Sequence, residues 1–198
     1  MPEVVGLSYK ARYVQNVLEQ LERTVPAPKH RAILARADPQ FLARVLAATP
    51  VENVEGKPLV ELFQSMRTEL GDDGYVAWWR DFTLHLVRIP LLTGLLQGVV
   101  RVIGLTPHAV FKNLPRARGS LVRHGGTMSY ERVDDVAARL TLTGYPRAVM
   151  ESGVAGITMS GLYEGLLSFS NATGRASIED EDVDVGRLVH VVRWTKAQ

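Results

Sequence analysis

Cysteine is absent from the 198 residues. That excludes disulfides, thiolate metal sites, iron–sulfur clusters and cysteine nucleophiles. It also suits a reducing compartment, so a cytoplasmic location is expected. An excess of either charge is lacking as well: 23 basic and 21 acidic side chains leave a formal charge of +2. So small an excess gives no general hold on nucleic acid, and no such partner is expected. No apolar run is long enough to span a bilayer. The most apolar stretch, Ile89–Leu105, contains Arg101 and follows His85 and Arg88. A spanning helix needs about 20 apolar residues. The stretch therefore reads as a buried core helix. Met1–Leu7 lacks the basic start and apolar run of a signal peptide and reads as a loose end. The common catalytic signatures are missing too: no nucleophile elbow, phosphate loop, dinucleotide fingerprint or zincin helix. His30, His124 and His190 share no metal-ligand spacing, and no metal site is expected.

What is present is an ordinary globular composition, 46% hydrophobic and 22% charged. It is enough for one domain with a sizeable core. Residues 8–126 read as mainly helical. Ser8 caps a first helix to about Arg23; Asp38-Pro39 starts another, with aspartate as cap and proline in the first turn. Pro58–Leu70 is helical and ends at Gly71. A long helix then carries Tyr75, Trp78, Trp79, Phe82, His85 and Leu86. Thr106-Pro107 opens one more, disturbed by Pro115, and places His108 in an exposed first turn. The period then changes. Thr127–Val133 and Val136–Gly144 alternate as strands. A helix over Met150–Asn171 follows, then strands over Arg175–Val185 and Leu188–Trp194. The order predicts an α+β domain: a helical N-terminal portion packed on a small antiparallel sheet, with residues 127–198 arranged ββ-helix-ββ.

The helix before the last hairpin contains Gly153, Gly156, Gly161 and Gly165. A glycine in a helix costs about 1 kcal/mol relative to alanine. So many glycines imply close approach of something: a sheet, a partner helix or a bound molecule.

Several stretches carry a family resemblance. They are the kinked basic helix Val110-Phe111-Lys112-Asn113-Leu114-Pro115-Arg116-Ala117-Arg118, the turn Gly144-Tyr145-Pro146, the helix Gly161-Leu162-Tyr163-Glu164-Gly165-Leu166-Leu167, and a final tryptophan strand. Together they resemble the superfamily of heme nitric-oxide-binding domains, vinyl-reductase-type domains and TRAPP trafficking subunits. The nearest likeness is to an uncharacterised paralogous family abundant in myxobacteria. The resemblance implies a fold suited to apolar cavities and dimerisation. Its heme-binding members use an axial histidine and a Tyr-x-Ser-x-Arg motif for the propionates. Ser129-Tyr130-Glu131-Arg132 is not that motif. The acyl-cysteine and cysteine–zinc chemistry of other members has no residues here. No cofactor is therefore expected, with heme an option set behind none.

Three readings stay open. The first is a non-enzymatic regulatory or assembly module, binding a protein partner, itself as a homodimer, and an apolar small molecule. Its interface residues are Leu92, Gly94, Leu95, Gly98, Val99, Gly161 and Gly165. The second is a sensor of heme or a small aromatic ligand, with Trp78, Phe82, His85, Met159 and Tyr163 lining the pocket. His85 shares a helix face with Trp78 and Phe82, where an imidazole either meets a ligand or simply bonds a carbonyl in the core. The third is an enzyme with a dispersed active site. Lys112, Arg116, Arg118 and Arg123 form a basic stretch that suits an anion or acidic partner, or else a solvated face. The acidic run Glu179-Asp180-Glu181-Asp182 either guards a sheet edge or meets that basic stretch on a second subunit.

Overall fold

The computed structural model describes residues 6–86 and 106–195. The first element among the described residues is strand β1 (Ser8–Lys10), not a helix capped by Ser8. β1 is the middle strand of a three-stranded antiparallel sheet, between β2 (Asn53–Glu55) and β3 (Val122–Arg123). Tyr9 pairs with Val54 on one side and Val122 on the other. Leu7 is buried and its carbonyl accepts from Gly56 N at 2.8 Å, so Leu7 is held in place; residues 1–5 of the expected loose end lie outside the described residues. Strands of three and two residues carry too little alternation to be read from sequence.

Helix α1 (Ala11–Thr24) buries Val14, Val17 and Leu21, spaced three and four apart on one face. Helix α2 (Ala27–Ala35) and helix α3 (Pro39–Ala47) follow. The Asp38 carboxylate accepts from Gln40 N at 2.8 Å, which is the expected cap. Helix α4 runs Gly56–Leu86 with one break, at Gly71, where φ is 72° and ψ 166°. That backbone is open to glycine at no steric cost. Past the break the helix builds the aromatic centre. Tyr75, Trp79 and Phe82 are fully buried, Trp78 stacks on Phe82 at 5.1 Å, and Phe63 meets Trp79 edge-on at 4.9 Å.

Helix α5 (Pro107–Leu121) is capped by Thr106, whose hydroxyl accepts from Ala109 N at 3.2 Å. Four antiparallel strands complete the domain: β4 (Thr127–Asp134), β5 (Ala137–Thr143), β6 (Thr173–Asp182) and β7 (Arg187–Thr195), in the order β4-β5-β7-β6. Leu140 pairs with His190 and Leu142 with Leu188, so Leu188, His190, Val192 and Trp194 share the buried face. The expected α+β arrangement holds.

The expected helix over Met150–Asn171 is two helices. Helix α6 (Arg147–Glu151) stops at Ser152, Gly153 takes a left-handed φ of 66°, and helix α7 (Val154–Leu167) begins. α7 lies between α4 and the sheet, and its glycines mark where each comes close. A Cβ on Gly161 would sit 2.6 Å from both Trp79 Cβ and the Val76 carbonyl. One on Gly165 would sit 2.6 Å from the Arg80 carbonyl and from Thr83 Cβ. Both positions are filled by α4 of the same chain, which removes them as a face for a second copy. Leu92, Gly94, Leu95, Gly98 and Val99, the rest of the expected interface, lie outside the described residues.

Candidate functional site

The first turn of α5 faces the sheet. Thr106 and Pro107 fix where the helix starts, and that start aims His108 inward, against the expectation of an exposed side chain. His108 Nδ1 and the Tyr130 hydroxyl of β4 are 2.8 Å apart. The Trp194 ring of β7 stands 4.8 Å away at 75°, edge to face. His108 Nε2 is buried and, among the described residues, has no hydrogen-bond partner. One turn further along α5, Phe111 is fully buried between Trp194 at 6.0 Å and Tyr163 of α7 at 6.2 Å. Tyr163 then meets His190 of β7 edge-on at 5.1 Å. Burial holds the Tyr163 hydroxyl above its usual range.

The two inward histidines differ. His190 Nε2 lies 2.9 Å from the Gly156 carbonyl, so it carries the proton and donates. Burial pulls the His190 pKa down to about 4, with the Gly156 bond opposing that shift. Its ring is neutral at ordinary pH and Nε2 is already engaged. His108 has one nitrogen engaged and the other without a partner among the described residues.

Of the expected pocket residues, Tyr163 alone joins this cluster. Trp78 borders a separate cleft of about 250 Å³, shared with Thr24, Pro26, Leu70, Ala77 and Asp81. Ligand pockets usually span about 300–1,000 Å³, so this one is small. Trp78 Nε1 donates to Thr24 Oγ1 at 3.0 Å. Phe82 is core, Met159 packs partly buried against the core, and His85 is half-buried in the last turn of α4.

The basic stretch divides. Lys112, Arg116 and Arg123 are exposed, but Arg118 is buried, a correction to the expected patch. Arg118 Nη2 donates to the Gly125 carbonyl at 2.5 Å, and its guanidinium lies 5.5 Å from the Tyr145 ring centre. It closes the turn after α5. The acidic run finds partners within the chain: Arg139 bridges Glu179 at 2.7 Å and Glu131 at 2.8 Å, and Arg187 meets Asp180 at 2.8 Å.

Sequence reasoning missed His108 as a site residue because its neighbours Tyr130 and Trp194 are 22 and 86 positions away. The Thr-Pro-His start was legible, but the direction it gives the imidazole was not. Among the described residues, no group of three or more His, Cys, Asp and Glu could hold a bare metal ion. In the same set, no helix is long and apolar enough to cross a membrane.

No protein-family model and no curated protein matches the sequence. Solved structures do match the fold. An H-NOX protein from K. algicida, in the Fe(II) unliganded form, is 12% identical with a TM-score of 0.63, covering 95% of this chain and 97% of its own. An oxygen-binding H-NOX domain related to soluble guanylate cyclases, solved as its oxygen complex, is 11% identical with a TM-score of 0.58 over 94% of this chain and 95% of its own. A mutant of T. Tengcongensis H-NOX is 12% identical with a TM-score of 0.58, over 94% of this chain and 98% of its own. This chain has the H-NOX fold over most of its length, as the resemblance implied. These neighbours overturn the expectation of no cofactor: the solved structures that share the fold are H-NOX proteins, and one of them is named for heme distortion in that family.

Proposed function

We propose that this chain is a non-enzymatic sensor domain that takes heme. The shared fold supports the class, and the observation that brings it to a residue is the buried Nε2 of His108, which has no partner among the described residues. Heme, if bound, would need a donor from the protein, and His108 would be the residue to hold it. That donor is commonly an imidazole whose other nitrogen is held by a hydrogen bond. His108, tethered through Nδ1 to Tyr130, fits this requirement, and Trp194 and Phe111 give it an apolar surround. Heme held by His108 would supply the capacity to bind a diatomic gas. His85, the axial candidate read from sequence, lies at the far end of α4 from Gly56 and outside this aromatic cluster. Output would pass by contact with a protein partner, a second copy of the chain included, with Lys112, Arg116 and Arg123 exposed for that purpose.

Hemin titration of the full chain tests the reading. A saturable Soret band is expected, lost or displaced in His108→Ala and retained in His85→Ala. Folded protein that gives no Soret band with stoichiometric hemin overturns it. So does a band that His108→Ala leaves unchanged.

A further inference from the structure

A neutral imidazole carries one proton, so the Tyr130–His108 contact has two forms. In one, Nδ1–H donates to the phenol oxygen and Nε2 keeps a bare lone pair. In the other, the phenol O–H donates to Nδ1 and Nε2–H is buried without an oxygen or nitrogen acceptor. Only the first leaves a nitrogen able to ligate a metal. Orphaned buried N–H groups are rarer than under-used acceptors, which weighs against the second form. Tyr130 itself is half-buried, so its hydroxyl proton can reach water while its oxygen accepts. The ring is also fixed in orientation: Trp194 at 4.8 Å and 75° limits its rotation, and the 2.8 Å tether sets which edge faces β4.

We infer that Tyr130 is a positioning residue: it holds His108 in the Nδ1–H tautomer with the Nε2 lone pair directed into the protein interior. The inference rests on the heme reading for its purpose, but the tautomer is a property of the chain alone. His190 provides an internal reference, because its bond to the Gly156 carbonyl requires the opposite tautomer, Nε2–H.

The test is a two-bond proton–nitrogen correlation spectrum of the full chain labelled with ¹⁵N-histidine, without hemin, for wild type and Tyr130→Phe. Wild type is expected to show His108 as Nδ1–H and His190 as Nε2–H. In Tyr130→Phe, His108 is expected to lose its single tautomer while the His190 signals stay in place, which shows that the fold is intact. Hemin affinity is then expected to fall about 10- to 100-fold, as for loss of a residue that orients a metal ligand. A wild-type His108 in the Nε2–H form, with Trp194 rather than a ligand receiving the proton, overturns the inference. So does a Tyr130→Phe variant with the same tautomer and the same hemin affinity as wild type; in that case the Soret band of the wild type still upholds the heme reading. Conversely, a tautomer that depends on Tyr130 in a chain that never gives a Soret band ends the heme reading and leaves the tautomer assignment standing.

Discussion

Gly161→Ala isolates the contact that organises the interior. The added Cβ would lie 2.6 Å from the Val76 carbonyl and 2.6 Å from Trp79 Cβ. Neither neighbour is the free end of a flexible chain: one is backbone and the other is the root of a fully buried indole. The helices have to separate, and overpacking of this kind costs about 1–3 kcal/mol. Alanine returns up to about 1 kcal/mol of helix propensity. Because both contacts are rigid, the upper part of the range applies, and a net loss of about 2 kcal/mol is expected. Gly74→Ala and Gly119→Ala are the controls. Among the described residues, a Cβ at Gly74 meets only Leu70 Cβ at 3.5 Å, and one at Gly119 meets nothing within 4 Å. Those variants keep the propensity gain, so each is expected to hold stability or raise it by up to about 1 kcal/mol. Urea unfolding followed by tryptophan fluorescence reads all three, with the slope checked for constancy. If Gly161→Ala is as stable as Gly74→Ala, the close approach of α7 to α4 is not what the glycine serves.

Gly165→Ala, facing the Arg80 carbonyl and Thr83 Cβ at 2.6 Å, is expected to fall with Gly161→Ala, and the double variant to depart from additivity because both open the same helix pair. His190 makes stability depend on pH with a definite sign. Its folded pKa is about 4 and an unfolded histidine has about 6.5, so the unfolded chain gains a proton first as pH falls. Stability is therefore full above pH 6.5 and declines towards pH 4, by about 3 kcal/mol from this group alone. His190→Gln, compared with wild type by urea unfolding across that range, is expected to lack this part of the decline; an identical profile refutes the assignment. Tyr75→Phe removes the buried bond between the Tyr75 hydroxyl and Thr158 Oγ1 at 2.7 Å. A loss of about 1–2 kcal/mol is expected from the hydroxyl left unpaired, and a neutral result would show that Thr158 has another partner.

Local signals were enough for the class of the domain and most of its elements. The Asp38-Pro39 start, the Thr106-Pro107 start and the alternation of Ala138, Leu140 and Leu142 are complete within a few residues, and each matches the structure. The glycines of α7 announced a close neighbour without identifying it. α4, the sheet, a second subunit and a ligand all make the same demand on a glycine, and the packing gave Gly161 and Gly165 to α4. The candidate site was less legible still. His85 lay on an aromatic helix face and drew attention for that reason, whereas His108 follows a proline at a helix start. What sets His108 apart is the hydroxyl of Tyr130 and the ring of Trp194, brought in from strands β4 and β7. Periodicity reports which side of one element is apolar. Which polar atom ends up buried and unpaired depends on three elements meeting, and no local pattern records that meeting.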